Sequence, residues 1–202
     1  MSRGATARLF AAVELPTAVC EELIEWARRA LGASDLPLAK RPPRAARVLA
    51  ASSLHLTLCF LGSRPVAEIE SLASALGACG EHACKLSVGA PLWLPPRRPR
   101  ALAVEIHDRA GELARLQAHL TGALSHAGGW EPERRRFRPH VTVARVREES
   151  ARARRSSDRP LLPATPRLCF TPAAIVLYRS WLSNAGATYE SISTCALQPA
   201  GR

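Results

Sequence analysis

Apolar positions along this chain repeat with two periods, and the changes from one to the other mark out its elements. Residues 8–15 (RLFAAVEL) form a short, nearly continuous apolar run and read as a first strand. Pro16 suits the first turn of a helix, and Val19, Leu23, Ile24, Ala27 and Leu31 then recur at helical spacing up to the stop at Gly32. Residues 37–47 are basic and proline-containing, and read as a loop. Strand-like sequence returns over 54–61, where Leu54, Leu56 and Leu58 face away from His55 and Thr57. Residues 66–79 carry a second helical stripe of Ile69, Leu72, Ala73 and Leu76. Strands are predicted over 85–88 and 101–106, separated by a Pro- and Arg-rich loop at 95–100. A third amphipathic helix spans 113–124 and is closed by Gly128-Gly129. Residues 139–146 alternate again, with His140 and Thr142 opposite Val141 and Val143. Residues 147–166 are polar and charged, and read as a mobile basic loop. Strands at 174–182 and 189–196 close the chain around the turn Asn184-Ala185-Gly186.

Strands that follow strands, interrupted by three helices, point to an α+β fold with mainly antiparallel pairing. At 202 residues and 47% apolar content, one domain spanning 1–202 can bury a normal core. The two alternating segments are near-copies, His55-Leu56-Thr57-Leu58 and His140-Val141-Thr142-Val143, one in each half of the chain. This arrangement predicts a bilobal, pseudo-two-fold body built from two mainly antiparallel sheets. Helices would pack outside, and both motifs would face a central cleft. Each strand would turn its aliphatic face to the core and present one imidazole and one hydroxyl to the cleft. Two imidazoles in one pocket suit acid–base chemistry on a phosphate, one accepting a proton and the other giving one. The remaining histidines, His82, His107, His119 and His126, lack this pattern.

Charge sharpens the picture. The formal net charge is +11, and every basic residue except Lys40 and Lys85 is arginine. Guanidinium groups make forked contacts to phosphate, so a polyanionic partner fits this balance. The arginines cluster at Arg97, Arg98 and Arg100 and again at Arg134, Arg135, Arg136 and Arg138, two groups that can track a polyanion such as a nucleic-acid backbone. The six cysteines include no C-x-x-C pair, which argues against a structural zinc site and for reduced thiols in the cytoplasm. No glycine-rich phosphate loop occurs, so P-loop and Rossmann nucleotide domains are disfavoured. No apolar run is long enough for a membrane span.

The motifs and their flanks resemble the two-histidine (2H) phosphoesterase superfamily. Its bacterial and archaeal RNA 2′,3′-cyclic phosphodiesterase branch, also called the 2′-5′ RNA ligase family, is the more similar one. RLFAAVELP at the start, LHLTLCFLG over 54–62, FRPHVTVAR over 137–145 and VLYRSWLSNAGATYE over 176–190 are each similar to that family's signatures, in the expected order. Departures are Cys59, where the family usually has a basic residue, and the approach to the first motif through Val48 and Ala50-Ala51.

The resemblance implies hydrolysis of RNA 2′,3′-cyclic phosphate ends to 2′-phosphomonoesters, with no metal and no cofactor. It implies His55 as proton donor, His140 as proton acceptor, and Thr57, Thr142 and Arg145 as phosphate-binding groups. Run backwards, the same site would join RNA ends through a 2′-5′ linkage. Phe10 and Phe60 are candidates for stacking on the RNA base. The implied partner is RNA with a cyclic phosphate end, tRNA fragments included, bound by a cytoplasmic monomer without a membrane. Two alternatives stay open. One is a phosphodiesterase of the same superfamily for cyclic nucleotides or an ADP-ribose cyclic phosphate. The other is a non-catalytic RNA-binding module. With ordinary imidazoles near pH ~6.5, both limbs of the pH–rate profile are expected around neutrality.

Overall fold

The computed structural model describes residues 5–32, 46–79, 83–96, 98–146, 162–183 and 186–198. Arg97, most of the 147–166 segment, most of the 37–47 loop and Asn184-Ala185 lie outside the described residues.

Among the described residues the chain forms nine strands and three α-helices. Strand β1 is Thr6–Glu14, helix α1 Thr17–Gly32, β2 Ala46–Val48, β3 His55–Pro65, α2 Ile69–Gly77, β4 Leu86–Leu94 and β5 Ala101–His107. Helix α3 is Glu112–Gly128, β6 His140–Val146, β7 Cys169–Phe170, β8 Ala174–Ser183 and β9 Gly186–Ala196. Propensity does not reveal β2 and β7, which have three and two residues and exist only through their partners in the sheet. Helix α3 starts where Asp108 Oδ2 accepts the Leu113 backbone N–H at 2.8 Å, and Gly129 ends it in the left-handed region at φ 57°.

Pairing is antiparallel throughout and runs in the order β7-β4-β5-β6-β3-β1-β8-β9, with β2 also on β6. The expected α+β class and antiparallel pairing are therefore found. The expectation of two separate sheets is corrected: the strands form one continuous sheet. Its two halves meet where Leu56 of β3 pairs with Val141 of β6. Both of these residues are fully buried, so a dry aliphatic seam holds the halves together.

The helices cover the sheet crosswise. Helix α1 leaves β1 but packs against β2 and β6, burying Val19, Leu23, Ile24, Trp26 and Ala27. Helix α2 packs against β8 and β9 and against α3, and α3 also touches β3. Leu113, Leu116, Leu120 and Leu124 form one buried stripe on α3. Side chains turned away from these helices face an open concave surface, and that surface carries both motifs.

Candidate active site

Leu56 and Val141 are paired and both point into the core. Their neighbours must then point the other way. His55, Thr57, His140 and Thr142 therefore share the concave face, where all four line one cavity of about 710 Å³. The local geometry of the two histidines is the same. His55 Nδ1 lies 2.9 Å from the Ser53 carbonyl oxygen, and His140 Nδ1 lies 2.7 Å from that of Arg138. A carbonyl can only accept, so each Nδ1 carries the hydrogen and each Nε2 is left for chemistry.

Arg145 also lines this cavity, although simple alternation would turn it away from His140. A β-bulge corrects its parity. Against β5, Leu102 pairs with Ala144 but Ala103 pairs with Thr142, so Val143 is the extra residue. Val143 and Ala144 are both buried, and Arg145 emerges on the His140 face. Strand β3 repeats the device: against β1, Ala11 pairs with Cys59 and Ala12 with Thr57, with Leu58 as the extra residue. Leu58 and Cys59 are both buried, and Phe60 emerges beside Thr57 and lines the cavity. Phe60 and Arg145 thus occupy equivalent places, each five residues after its histidine. Gln117 of α3 braces the first bulge. Its Nε2 donates to the Leu58 carbonyl at 3.4 Å and to Thr121 Oγ1 at 3.0 Å, and Cys59 Sγ sits 3.3 Å from the same hydroxyl.

The two imidazoles have different surroundings. The His55 ring is enclosed by Phe10, Tyr189 and Tyr178, with ring centroids at 4.7, 5.0 and 6.2 Å. Burial among these rings lowers the His55 pKa to about 4, against a smaller upward pull from the Ser53 carbonyl, and Arg145 and His140 add to the lowering. This enclosure replaces the ordinary imidazole value expected for His55 in the free site with a lowered one.

The other site expectations sort by position. Phe10 is only 4% exposed and stacks on Tyr178 at 5.2 Å, so it packs behind His55 and has no face open to a base. Phe60 is open to the cavity, with the Arg8 guanidinium 4.7 Å from its ring centroid. Arg135 and Arg136 line the cavity; Arg134 is exposed outside its lining. Arg138 lines it too, but pairs with Glu105 at 2.5 Å. That pairing holds the Glu105 carboxyl below the usual range. Sequence reasoning missed Tyr178, Tyr189 and Gln117. The tyrosines lie within the 176–190 signature, but nothing local says that they enclose a histidine. Among the described residues, no group of three or more His, Cys, Asp or Glu side chains is placed to hold a metal ion. No described helix is long and apolar enough to cross a membrane.

Comparison with known proteins agrees with this geometry. Residues 15–181 match the model of the 2′-5′ RNA ligase superfamily. The RNA 2′,3′-cyclic phosphodiesterase of Escherichia coli K12 is 29% identical over 144 residues, covering 71% of this chain and 74% of that protein. That of Aeropyrum pernix is 33% identical over 98 residues, covering 47% of this chain and 54% of the relative. The fold is similar to the crystal structure of E. coli LigT complexed with 3′-AMP, with a TM-score of 0.70, 24% identity and coverage of 96% of this chain and 99% of that one.

Proposed function

Because the chain belongs to the 2′-5′ RNA ligase superfamily, we propose that it hydrolyses RNA 2′,3′-cyclic phosphodiester ends to 2′-phosphomonoesters. The observation that carries this reading is the placement of two Nδ1-anchored imidazoles and two threonines on one face of a cavity, on either side of the Leu56–Val141 pair. A water deprotonated by His140 Nε2 attacks phosphorus. The bond from phosphorus to the 3′ oxygen breaks, and His55 Nε2–H supplies the proton to that oxygen. Thr57 and Thr142 donate hydrogen bonds to the non-bridging oxygens. Arg145 offsets the charge that builds on them.

This assignment requires His55 to be protonated, whereas burial keeps it neutral in the free cavity near pH 7. The substrate supplies the difference. Restoring the proton from a pKa of about 4 to neutrality costs roughly 4 kcal/mol, at 1.36 kcal/mol per pH unit. A phosphate monoanion about 4 Å away contributes roughly the same at an effective dielectric near 20. Protonation of His55 therefore accompanies substrate binding. Arg135 and Arg136 at the rim and Phe60 in the wall favour an RNA end over a bare phosphoester. RNA fragments such as those of tRNA, bound by a cytoplasmic monomer, are the partners this reading implies.

The test is an oligonucleotide ending in a 2′,3′-cyclic phosphate, with the product resolved as a 2′- or 3′-phosphate. His55→Ala and His140→Ala should each lower turnover by about 10²-fold or more while the fold survives. A substrate with a 3′-bridging sulfur, whose leaving thiolate needs no proton, should rescue His55→Ala and not His140→Ala. Rescue of His140→Ala alone would exchange the two roles. Near-parental activity in either folded variant would remove that histidine from the reaction.

A further inference from the structure

A second arginine stands beside Arg145 on the concave face. Strands β2 and β6 pair with Arg47 directly opposite Arg145, so the two side chains leave the sheet on the same side. Burial identifies that side. Val146 and Ala144, which flank Arg145, are buried, Ala46 and Val48 pack against the same core, and both arginines are exposed. Residues opposite one another in such a ladder have Cα atoms about 4.5–5.5 Å apart, where like charges repel. No described carboxylate forms an ion pair with either guanidinium. Among the described residues the pair is therefore an uncompensated double positive charge, an arrangement that an anion would relieve.

The two arginines are not equivalent in position. Arg145 lines the cavity that holds the histidines, and its charge is felt at His55. Arg47 is outside the cavity lining, one strand further along the face. Its guanidinium lies under the start of β9, so close to Gly186 that a Cβ there would collide with Nη2. Gly186 has φ 125°, a conformation that in any case favours glycine. An RNA chain that places its terminal cyclic phosphate between the histidines must run out of the cavity through its 5′ side. The next charge it carries is a phosphodiester.

We propose that Arg47 binds the phosphodiester on the 5′ side of the cyclic-phosphate nucleotide, making this site prefer an oligonucleotide end over a free cyclic nucleotide. This inference rests on the phosphodiesterase reading above and names the feature of the substrate that Arg47 recognises.

The experiment compares kcat/KM for a dinucleotide ending in a 2′,3′-cyclic phosphate with that for a 2′,3′-cyclic mononucleotide. It uses the parent and the Arg47→Lys, Arg47→Gln and Arg47→Glu variants, each checked for folding by circular dichroism. One charge-assisted hydrogen bond corresponds to about tenfold or more. The dinucleotide-to-mononucleotide ratio should fall by that factor in Arg47→Gln, fall further in Arg47→Glu, and be largely kept in Arg47→Lys. The salt dependence of dinucleotide binding should lose about 0.7 from its log–log slope in Arg47→Gln. An active parent whose ratio is unchanged by Arg47→Gln and Arg47→Glu overturns the inference alone. That holds whether both activities drop, as for a brace of the β8–β9 hairpin, or neither does. A parent inactive on both substrates overturns the phosphodiesterase reading and this inference with it.

Discussion

Tyr189→Ala should return the titration of His55 toward that of a free imidazole. In the parent, Phe10, Tyr189 and Tyr178 surround the ring, and burial brings its pKa from 6.5 to about 4. At 1.36 kcal/mol per pH unit, that gap is about 3 kcal/mol of preference for the neutral form. Removing the Tyr189 ring admits water on one side of the imidazole, and desolvation is the dominant cause of the lowering. The expected midpoint in the variant is roughly pH 5 or above.

The assay is the NMR titration of the His55 ring, assigned by its loss in His55→Gln, over pH 3 to 8. Stability provides an independent check, and its sign is fixed. The folded pKa lies below the unfolded one, so the unfolded chain binds more protons between about pH 6.5 and 4. The contribution of neutral His55 is complete above that window and is lost as pH falls through it, up to about 3 kcal/mol. The stability difference between parent and His55→Gln should change by that amount from pH 7 to 4. Activity should follow: kcat/KM reports the free enzyme, so its acidic limb should extend down toward pH ~4. Saturating 2′-phosphate product should raise the His55 midpoint, with proton uptake on binding near neutral pH. A parent His55 that titrates at pH 6 to 7, or a Tyr189→Ala variant that stays near 4, would refute the argument that the aromatic enclosure sets this pKa.

Gln117→Leu removes the donor that holds the Leu58 carbonyl at the β3 bulge; it should lower kcat severalfold by loosening Thr57 and Phe60, with Gln117→Glu failing to restore it because a carboxylate cannot donate, and parental kcat in the leucine variant would dismiss the brace. Charge reversal at Arg135 and Arg136 should weaken oligonucleotide binding and flatten its salt dependence, by about 0.7 in log–log slope for each phosphate no longer neutralised; an unchanged slope would make these rim arginines a solvated face.

The reach of the sequence can be judged residue by residue. Alternation in 54–58 and 140–143 was enough to place His55 with Thr57 and His140 with Thr142, because side-chain direction in a strand is a local property with period two. Helical stripes located α1, α2 and α3 for the same reason, with boundaries moved by a few residues where Asp108 and Gly129 set the ends of α3. That the strands join into one sheet and not two was not legible, since it depended on whether β3 and β6 meet, and Leu56 and Val141 are far apart in the chain.

Tertiary structure alone decided several features of the site. Arg145 reaches the cavity only because the Val143 bulge reverses its parity, and the bulge exists only relative to β5. Phe10 looked like an open aromatic, but it is shut behind His55 by two tyrosines from the other end of the chain. Arg138 is tied to Glu105 and Arg47 is set beside Arg145 by pairings between strands that sequence order does not announce. By itself, the sequence determined which residues can do this chemistry and which face of its own strand each occupies, because both follow from side-chain identity and backbone geometry. Which of them meet, which are dried out and which keep an unshared charge depends on contacts between distant segments, and only the folded chain supplies those.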